Sequence, residues 1–469
     1  MFAATKPVRA AGSFRDPSGF VFLADGEVYR QVNAGWEAGF RRLIDSGLYE
    51  DLARDGLLIP HEEVGLRVEE HPPAFAVLKP TRVPFITYPY EWCFSQLKDA
   101  ALLTLELQKR ALAKGLVLRD ASAYNVQFVG TKPVFIDTLS FGEYEDQKPW
   151  VAYRQFCQHF LAPLTLAAHV DPSLSHLSRS HLDGVPLALA SGMLPRSTWM
   201  RPGLLTHVHL HARSGARGKE QHQGTPSSQG RVSRTAMLGL VDSLQRTTEA
   251  TRWSPPETLW STYVENSNYS APAIDHKRQL VKEALELVKR DNPSPSVWDL
   301  GANTGDFSRL AADVGGRVIS FDLDTSSVER NYQSCKKAPE YASILPVVQD
   351  LTNPSPGLGW HHTERQSLVQ RGPADVAMAL ALVHHLAISG GIPLEDLAAF
   401  FRDACRFLII EFVPKEDSQV ERMLALREDV FVAYTESGFE AAFAPSFKTI
   451  RSTPINGSAR RLYFLERRS

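Results

Sequence analysis

The stretch VWDLGANTGDFSRLAADVGGRVISFDLD, residues 297–324, decides the fold of the C-terminal half of this chain. An apolar run at 297–300 predicts a buried strand, the pattern at 306–314 predicts a helix, and 318–321 predicts a second strand. Between the first strand and the helix, Gly301 and Gly305 let the backbone approach a ligand without a Cβ in the way. The helix that follows offers free N–H groups at its start.

The same alternation of strand and helix continues outward in both directions. Helices are predicted at 275–289, 326–338, 394–404 and 417–427, and strands at 344–348, 376–382 and 407–412. Two strand-like segments, 447–450 and 461–465, flank Asn456-Gly457, which is a hairpin signal. The pattern predicts an α/β domain, a doubly wound parallel sheet with an antiparallel hairpin at its end.

A break in composition divides the chain. Residues 211–235 are rich in Gly, Ser, Gln and Arg and cannot bury enough apolar surface to become ordered, so we interpret them as a flexible linker. We expect an N-terminal α+β domain at 1–210 and the α/β domain at 236–469. Within the N-terminal half, the pattern predicts a helix at 97–113 and strands at 116–118, 126–129 and 134–136.

Composition narrows the function classes. With 51 Lys and Arg against 53 Asp and Glu, the net charge is −2, which argues against a nucleic-acid partner. No apolar run is long enough for a membrane span, and the N-terminus lacks the apolar core of a signal peptide. The four cysteines are scattered and no metal-ligand cluster is visible. We therefore expect a cytoplasmic protein without a bound metal.

Acidic residues follow three of the predicted strands. Asp299 stands two residues before Gly301, while Asp322 and Asp350 end the next two strands. The spacing departs from the G-x-G-x-x-G dinucleotide fingerprint, and an acid at this position favours a ligand that carries a cation over a pyrophosphate. Ligands of open α/β sheets bind at the carboxyl ends of the strands. The alternative for each acid is a role as helix cap or turn former.

Four segments, in this order, resemble the class I S-adenosylmethionine-dependent methyltransferases: residues 297–305, 318–324, 347–351 and 374–386. The resemblance implies S-adenosylmethionine as cofactor and gives Asp322, with Asp324 close behind, the ribose hydroxyls, and Asp350 the adenine amino group. Residues 374–386, ADVAMALALVHHL, resemble the fourth strand and its turn. The cofactor-binding residues implied are Asp299, Gly301, Ala302, Asn303, Gly305, Asp322, Asp324, Asp350 and Leu382. Residues 411–424, EFVPKEDSQVERML, are similar to bacterial methyltransferases of the NoeA-like nodulation family.

Methyl transfer needs a base only if the acceptor must lose a proton. The candidates are His384 and His385, at the mouth of the fourth strand, and Glu411, which ends the fifth. The alternatives are packing against the cofactor or capping a helix for the histidines, and binding a backbone amide for Glu411. We expect a small-molecule or carbohydrate-type acceptor, the latter on the NoeA-like resemblance.

A second constellation lies in the N-terminal half. Asp120, Asn125 and Asp137 form a D-x-x-x-x-N loop, a short hairpin, and a strand that ends in Asp. This arrangement resembles the catalytic loop and metal-binding Asp of the kinase fold. However, the glycine-rich loop is absent from the sequence, and Lys79 lies too close to Asp120 for the usual phosphate-binding lysine. The alternatives are therefore a phosphotransferase or bifunctional protein, and a non-catalytic nucleoside-binding scaffold.

Overall fold

The computed structural model describes residues 7–66, 72–213, 231–257, 270–425 and 428–468. The chain forms two compact units. The first comprises Met1–Ser254 together with Gly359–Glu364, and the second comprises Pro255–Leu358 and Arg365–Ser469. Most of the predicted linker at 211–235 lies outside the described residues. The helix that follows it, Arg234–Ala250, belongs to the first unit, so the division falls after Ser254.

The first unit combines small antiparallel sheets with helices. Its strands are β1 Val8–Arg9, β2 Gly19–Ala24, β3 Glu27–Asn33, β4 His61–Val64, β5 Ala74–Pro80, β6 Leu116–Leu118, β7 Val126–Val129, β8 Lys132–Phe135 and β9 Phe141–Glu143. Its α-helices are α1 Glu37–Asp45, α2 Leu48–Arg54, α3 Phe94–Ala113, α4 Tyr153–Phe156, α5 Ala162–His169, α6 Leu177–Ser180, α7 Leu187–Met193, α8 Pro202–Leu204 and α9 Arg234–Ala250.

Five of these strands form one sheet in the order β1-β2-β3-β5-β4, with every neighbouring pair antiparallel. Helix α3 is long and largely buried, and α9 packs beside it. The ammonium group of Lys109 on α3 lies 2.5 Å from the carboxylate of Asp242 and 2.5 Å from the side-chain oxygen of Gln245, both on α9. The structure confirms the predicted helix and the short strands that follow it.

One short segment belongs to the first unit although its neighbours in sequence belong to the second. This segment is Gly359–Glu364. Glu364 accepts two hydrogen bonds from the guanidinium of Arg15, at 2.7 and 3.1 Å, and its side chain is buried. Its backbone oxygen lies so close to Gly12 that a Cβ there would stand 2.4 Å away. The first unit is therefore complete only when this later stretch of chain is in place.

The second unit is an α/β domain. Its strands are β10 Ser296–Leu300, β11 Arg317–Asp322, β12 Leu345–Val348, β13 Ala374–Ala379, β14 Cys405–Phe412, β15 Phe447–Pro454 and β16 Arg461–Arg467. Its α-helices are α10 Ala271–Asp291, α11 Asp306–Val314, α12 Thr325–Lys337, α13 Leu394–Ala404, α14 Ser418–Leu424 and α15 Glu436–Phe443.

The seven strands of this unit form one sheet in the order β12-β11-β10-β13-β14-β16-β15. The first five are parallel, and β16 pairs antiparallel with both β14 and β15. The structure therefore confirms the doubly wound sheet with a terminal antiparallel hairpin. The strand order reverses at β10, whose neighbours are β11 and β13, and a crevice at such a switch point is where open α/β sheets bind ligands.

The apolar face of α10 explains how the sheet is covered. Its residues Leu280, Ala284, Leu285 and Val288 are spaced at helical intervals, and all of them are buried in the same core as Val297 of β10. This core holds the central strands in register. The carboxyl ends of those strands, which carry the predicted ligand-binding residues, are therefore presented at one edge of the sheet.

The end of the fourth strand of this unit differs from the prediction. The sequence predicts a strand over 376–382, but β13 ends at Ala379, and Ala381 takes a left-handed conformation with φ of +51°. A π-helical turn follows at His385–Ser389. The apolar run of residues continues past the point at which the ladder of β13 ends, which is why the sequence pattern overestimates the strand.

Among the described helices, none combines the length and apolarity that crossing a membrane requires.

Candidate functional site

The loop between β10 and α11 is shaped by left-handed residues. Gly301 and Gly305 have φ of +78° and +86°, and Asn303 lies between them at +52°. A Cβ on Gly305 would stand 2.4 Å from the side-chain oxygen of Asn331, and one on Gly301 would stand 3.2 Å from the side chain of Leu382. Both glycines are thus required by conformation and by space. Leu382, predicted to bind cofactor, lies directly against the loop.

Asp322 holds this loop in place. One of its carboxylate oxygens accepts the backbone N–H of Asn303 at 2.7 Å, and the other accepts the N–H of Asp324 at 2.8 Å. Burial raises the pKa of Asp322 to about 6. The loop is also tied to β11 through the backbone oxygen of Phe321, which accepts from Gly301 and Ala302. The second predicted acid therefore does lie beside the glycine loop.

Asp299 lies beneath the same loop and is only 2% exposed. Its carboxylate accepts a hydrogen bond of 2.6 Å from the hydroxyl of Ser308 on α11. The pKa of Asp299 is raised to about 7. Burial is the main cause and the nearby charge of Asp322 contributes, while the Ser308 bond and the charge of Lys277 oppose the rise. A cation brought into this crevice would favour the ionised form of both carboxyl groups.

The other two predicted acids are engaged locally. Asp324 caps α12 by accepting from the N–H groups of Ser326 and Ser327 and from the Ser327 hydroxyl. Asp350 accepts from the N–H and hydroxyl of Thr352, at 2.8 and 2.7 Å, in a tight turn. These are the cap and turn roles that the sequence left open for acids after strands. Asp322 is therefore a carboxylate that contacts the glycine loop directly.

The two histidines differ in exposure. His384 is completely buried, and neither of its ring nitrogens has a hydrogen-bond partner among the described residues, whereas His385 is only partly buried. Their rings lie 4.1 Å apart. Burial, with help from the positive charge of Arg460, lowers the pKa of His385 to about 4. Burial and neighbouring positive charges lower the pKa of His384 as well, so both rings are neutral at pH 7.

Both oxygens of the Glu411 carboxylate are engaged by other groups of the protein, which argues against a role as a base. It is fully buried, its carboxylate lies 2.6 Å from the ammonium of Lys277 and 3.4 Å from the guanidinium of Arg460, and it accepts the N–H of Ala381 at 2.9 Å. Its predicted role as a catalytic base is thus at odds with the geometry, and the alternative of a backbone partner fits.

Sequence reasoning missed Lys277 and Arg460. One local signal could have indicated Lys277, because it interrupts the apolar stripe of α10 four residues after Ala273 and four before Val281, both of which are buried. A charge within such a stripe is expected to have a buried partner. Arg460 lies just before β16 and gives no comparable local signal, since its partners come from distant parts of the chain.

In the first unit, the structure brings Asp120, Asn125 and Asp137 together. Asp120 accepts from Ser122 and Gln155, and burial raises its pKa, with a smaller contribution from the charge of Asp137. The amide of Asn125 donates to Ser140 at 3.4 Å, and the Ser140 hydroxyl donates to Asp137 at 2.5 Å.

A cation of the protein itself pairs with one carboxylate of this cluster. The guanidinium of Arg30 on β3, another residue that sequence reasoning missed, lies 2.5 Å from Asp137 and 3.3 Å from Asp16. Lys79 lies elsewhere, 3.4 Å from Glu27. Within the described residues, no group of three or more His, Cys, Asp or Glu is arranged to hold a metal ion.

Comparison with known proteins gives one full-length relative. The chain is 36% identical to nodulation protein NoeA of Rhizobium meliloti (strain 1021) over 478 residues, which cover 99% of this chain and 97% of that protein. No family model matches.

Among solved structures, similarity is weak. Magnesium protoporphyrin IX methyltransferase (ChlM) from Synechocystis PCC 6803 with bound SAH is 19% identical, with a TM-score of 0.30 over 42% of this chain and 86% of that one. The bifunctional kinase-methyltransferase WbdD is 15% identical, with a TM-score of 0.32 over 47% of this chain and 45% of that one. These scores are too low to bear on the fold, which rests on the strand order itself.

Proposed function

Since this chain belongs to the family of nodulation protein NoeA, we propose that its second unit is a class I methyltransferase that uses S-adenosylmethionine. The observation that carries the proposal is the pair of buried carboxyl groups, Asp299 and Asp322, at the switch point of the sheet beside the glycine loop. Both have raised pKa values, and a ligand with positive charge would stabilise their ionised forms. S-adenosylmethionine carries both a sulfonium and an ammonium.

The residues around the crevice fit this cofactor. Gly301, Ala302, Asn303 and Gly305 would form the wall nearest the ligand, since Gly301 and Gly305 have no side chain to keep a ligand from the backbone. We infer that Asp322 binds the ribose hydroxyls, because it already orients the loop amide of Asn303. Leu382 closes the opposite side by lying against Gly301. Asp350 follows β12, the strand next to β11, and is the candidate for binding the adenine amino group.

The cofactor supplies an electrophilic methyl group, so the protein mainly has to align the acceptor and exclude water. His385 is the better candidate base of the histidine pair because it is partly exposed, whereas His384 is buried behind it. With a pKa of about 4, His385 is neutral at pH 7 and its ring nitrogen can accept the acceptor's proton as the new bond to carbon forms. Such a weak base suits an acceptor that loses its proton only as the methyl group arrives.

The acceptor is proposed to be a small molecule or a carbohydrate-type compound. The balanced net charge gives no electrostatic footprint for a nucleic acid. Ala379 and Leu380, at the end of the fourth strand, are apolar and buried, which favours an acceptor of low polarity. The four cysteines are free and buried, which is consistent with a reducing compartment, and we propose the cytoplasm.

Titration calorimetry tests the proposal. The wild-type protein should bind S-adenosylmethionine in a saturable manner, and Asp322→Asn should weaken binding by about tenfold or more, because the charged acceptor is lost. The matched control is Asp313→Asn, which changes an exposed carboxylate on α11 and should bind as the wild type does. Absence of binding by the wild type would refute the proposed function. Binding without turnover on any small-molecule or carbohydrate acceptor would favour the non-catalytic scaffold.

A second candidate function is phosphotransfer by the first unit. It is favoured by the grouping of Asp120, Asn125 and Asp137, and by the order of a five-stranded sheet, long helix and loop that precedes them. Against it, the guanidinium of Arg30 occupies the Asp137 carboxylate that a magnesium ion would need. Titration of the wild-type protein with ATP and magnesium decides this, since a phosphotransferase must bind both, whereas Asp322→Asn should leave such binding unchanged.

A further inference from the structure

Four buried charges form a continuous network in the second unit. The ammonium of Lys277 on α10 pairs with Glu411 on β14, Glu411 pairs with Arg460, and Arg460 makes contacts of 2.7 and 3.1 Å with Asp417. None of the four side chains is more than 9% exposed. Two cations and two anions leave the network neutral, which is the condition under which buried charges are tolerated. We call these four residues the buried ion network.

The buried ion network fixes one unusual backbone conformation. Ala381 is left-handed, with φ of +51°, although it has a Cβ, and its N–H donates to Glu411 at 2.9 Å. The Glu411 oxygen that accepts this bond is the one that pairs with Lys277. A non-glycine residue keeps such a conformation only where its surroundings impose it, and such residues cluster at ligand sites. Here the imposing group is a carboxylate held by two cations.

Ala381 begins the segment that faces the glycine loop. Leu382 follows it and lies against Gly301, and the two histidines come after Val383. The network also reaches the other side of the crevice, because the ammonium of Lys277 lies 5.0 Å from the ring centre of Phe307, at the start of α11. Through Glu411 and Lys277, the network therefore contacts both the segment that begins at Ala381 and the start of α11.

We propose that Lys277, Glu411 and Arg460 are positioning residues for the cofactor site, acting through the amide of Ala381 on residues 381–385. This inference rests on the proposed function and extends it to residues that do not contact the ligand. Glu411 is the member that acts on the loop, while Lys277 and Arg460 hold its carboxylate in place. Glu411 contributes to binding through the conformation of residues 381–385. A neutral side chain at position 411 that still accepts the hydrogen bond of Ala381 should therefore preserve binding.

The test compares two double variants that remove the Lys277–Glu411 charges together, so that no unpaired charge remains buried. Lys277→Met with Glu411→Gln retains a side-chain oxygen that can accept from Ala381, and we expect it to bind S-adenosylmethionine within about threefold of the wild type. Lys277→Met with Glu411→Ala lacks that oxygen, and we expect binding to weaken by at least about tenfold. Adding Ala381→Gly to the second variant should recover most of the affinity, because glycine adopts positive φ without an anchor.

Two controls separate positioning from general loss of stability. Asp375→Ala removes a carboxylate that binds Ser296 at the opposite end of β13, and it should lower the melting temperature but leave the affinity unchanged. Amide hydrogen exchange of a peptide spanning residues 380–386 should be slow in the wild type and in the Gln variant, and fast in the Ala variant. This measurement needs no ligand.

The outcomes are distinct. If the wild type binds and both double variants bind and exchange alike, the positioning role is refuted while the proposed function stands. If the wild type does not bind, the proposed function fails, and the exchange rates alone decide whether Glu411 sets the conformation of residues 381–385. If the Ala variant does not fold, the variant that also carries Ala381→Gly takes its place, and failure of glycine to restore a folded, binding protein overturns the inference.

Discussion

Lowering the pH from 8 to 6 should weaken the binding of S-adenosylmethionine, because two carboxyl groups at the site must be ionised to meet its charge. Asp299 has a pKa of about 7 and Asp322 a pKa of about 6 in the free protein. A bound cation lowers both values, so affinity is nearly complete at pH 8 and is lost as the pH falls through 7 and then 6. The sign is that of a group whose pKa is lower in the complex than in the free state.

The expected magnitude follows from these two values. For a group with a pKa of about 7 that is ionised in the complex, affinity falls about tenfold between pH 8 and pH 6, and a group with a pKa of about 6 adds about a further twofold. The product is about twentyfold, or about 1.8 kcal/mol. At pH 7, Asp299 is about half protonated in the free protein, so binding should release about 0.5 to 0.6 protons per ligand.

Titration calorimetry in two buffers of different ionisation enthalpy measures both quantities. The amino group of the ligand also titrates, near pH 8, and it does so equally with every variant. Comparison with Asp299→Asn isolates the contribution of the protein, because the amide retains an oxygen for the Ser308 bond but cannot ionise. Ser308→Ala is the second comparison: it removes a bond that lowers the pKa of Asp299, so the midpoint should move above pH 7. Affinity in the wild type that follows the same pH curve as in Asp299→Asn would refute the reasoning.

Three further predictions concern stability, each measured by urea unfolding. Gly305→Ala should destabilise the second unit by at least about 2 kcal/mol, since its φ is positive and its Cβ would stand 2.4 Å from Asn331; a change below 0.5 kcal/mol would contradict the steric argument. Arg460→Met should cost about 3–5 kcal/mol because it removes the guanidinium that pairs with the buried carboxylates of Asp417 and Glu411, and a neutral result would mean that water reaches them. Asp242→Asn should change stability by less than about 1 kcal/mol, because its ion pair with Lys109 is only partly buried; a larger loss would show that α9 depends on this pair.

Much of the second unit could be predicted from sequence because its signals are local. The strand at 297–300 and the helix at 306–314 match β10 and α11 to within a residue, since an apolar run, a glycine turn and an amphipathic stretch follow one another without ambiguity. The position of Asp322 beside the glycine loop also followed, because the ends of adjacent parallel strands meet at one edge of the sheet.

What could not be predicted depends on contacts between distant residues. The role of Glu411 is decided by Lys277 on α10 and by Arg460 before β16, and a sequence pattern does not reveal such pairings. The end of β13 was placed too late because the apolar run at 376–382 has no feature that marks where pairing with its neighbours ceases. The pairing of α9 with α3 is of the same kind, because a local sequence pattern does not identify one helix as the partner of another.

The short segment Gly359–Glu364 has a consequence for how the chain folds as it is synthesised. Glu364 binds Arg15, which lies 349 residues earlier, so the first unit receives its last piece only after the first part of the second unit, Pro255–Leu358, has been synthesised. Domains that are continuous in sequence generally fold one after another during synthesis. In this chain the first unit must wait, incomplete around Gly12 and Arg15, for a stretch that is embedded in the second. If synthesis stalls before residue 359, the part of the first unit up to Ser254 has been made, but the segment that contacts Gly12 and Arg15 has not.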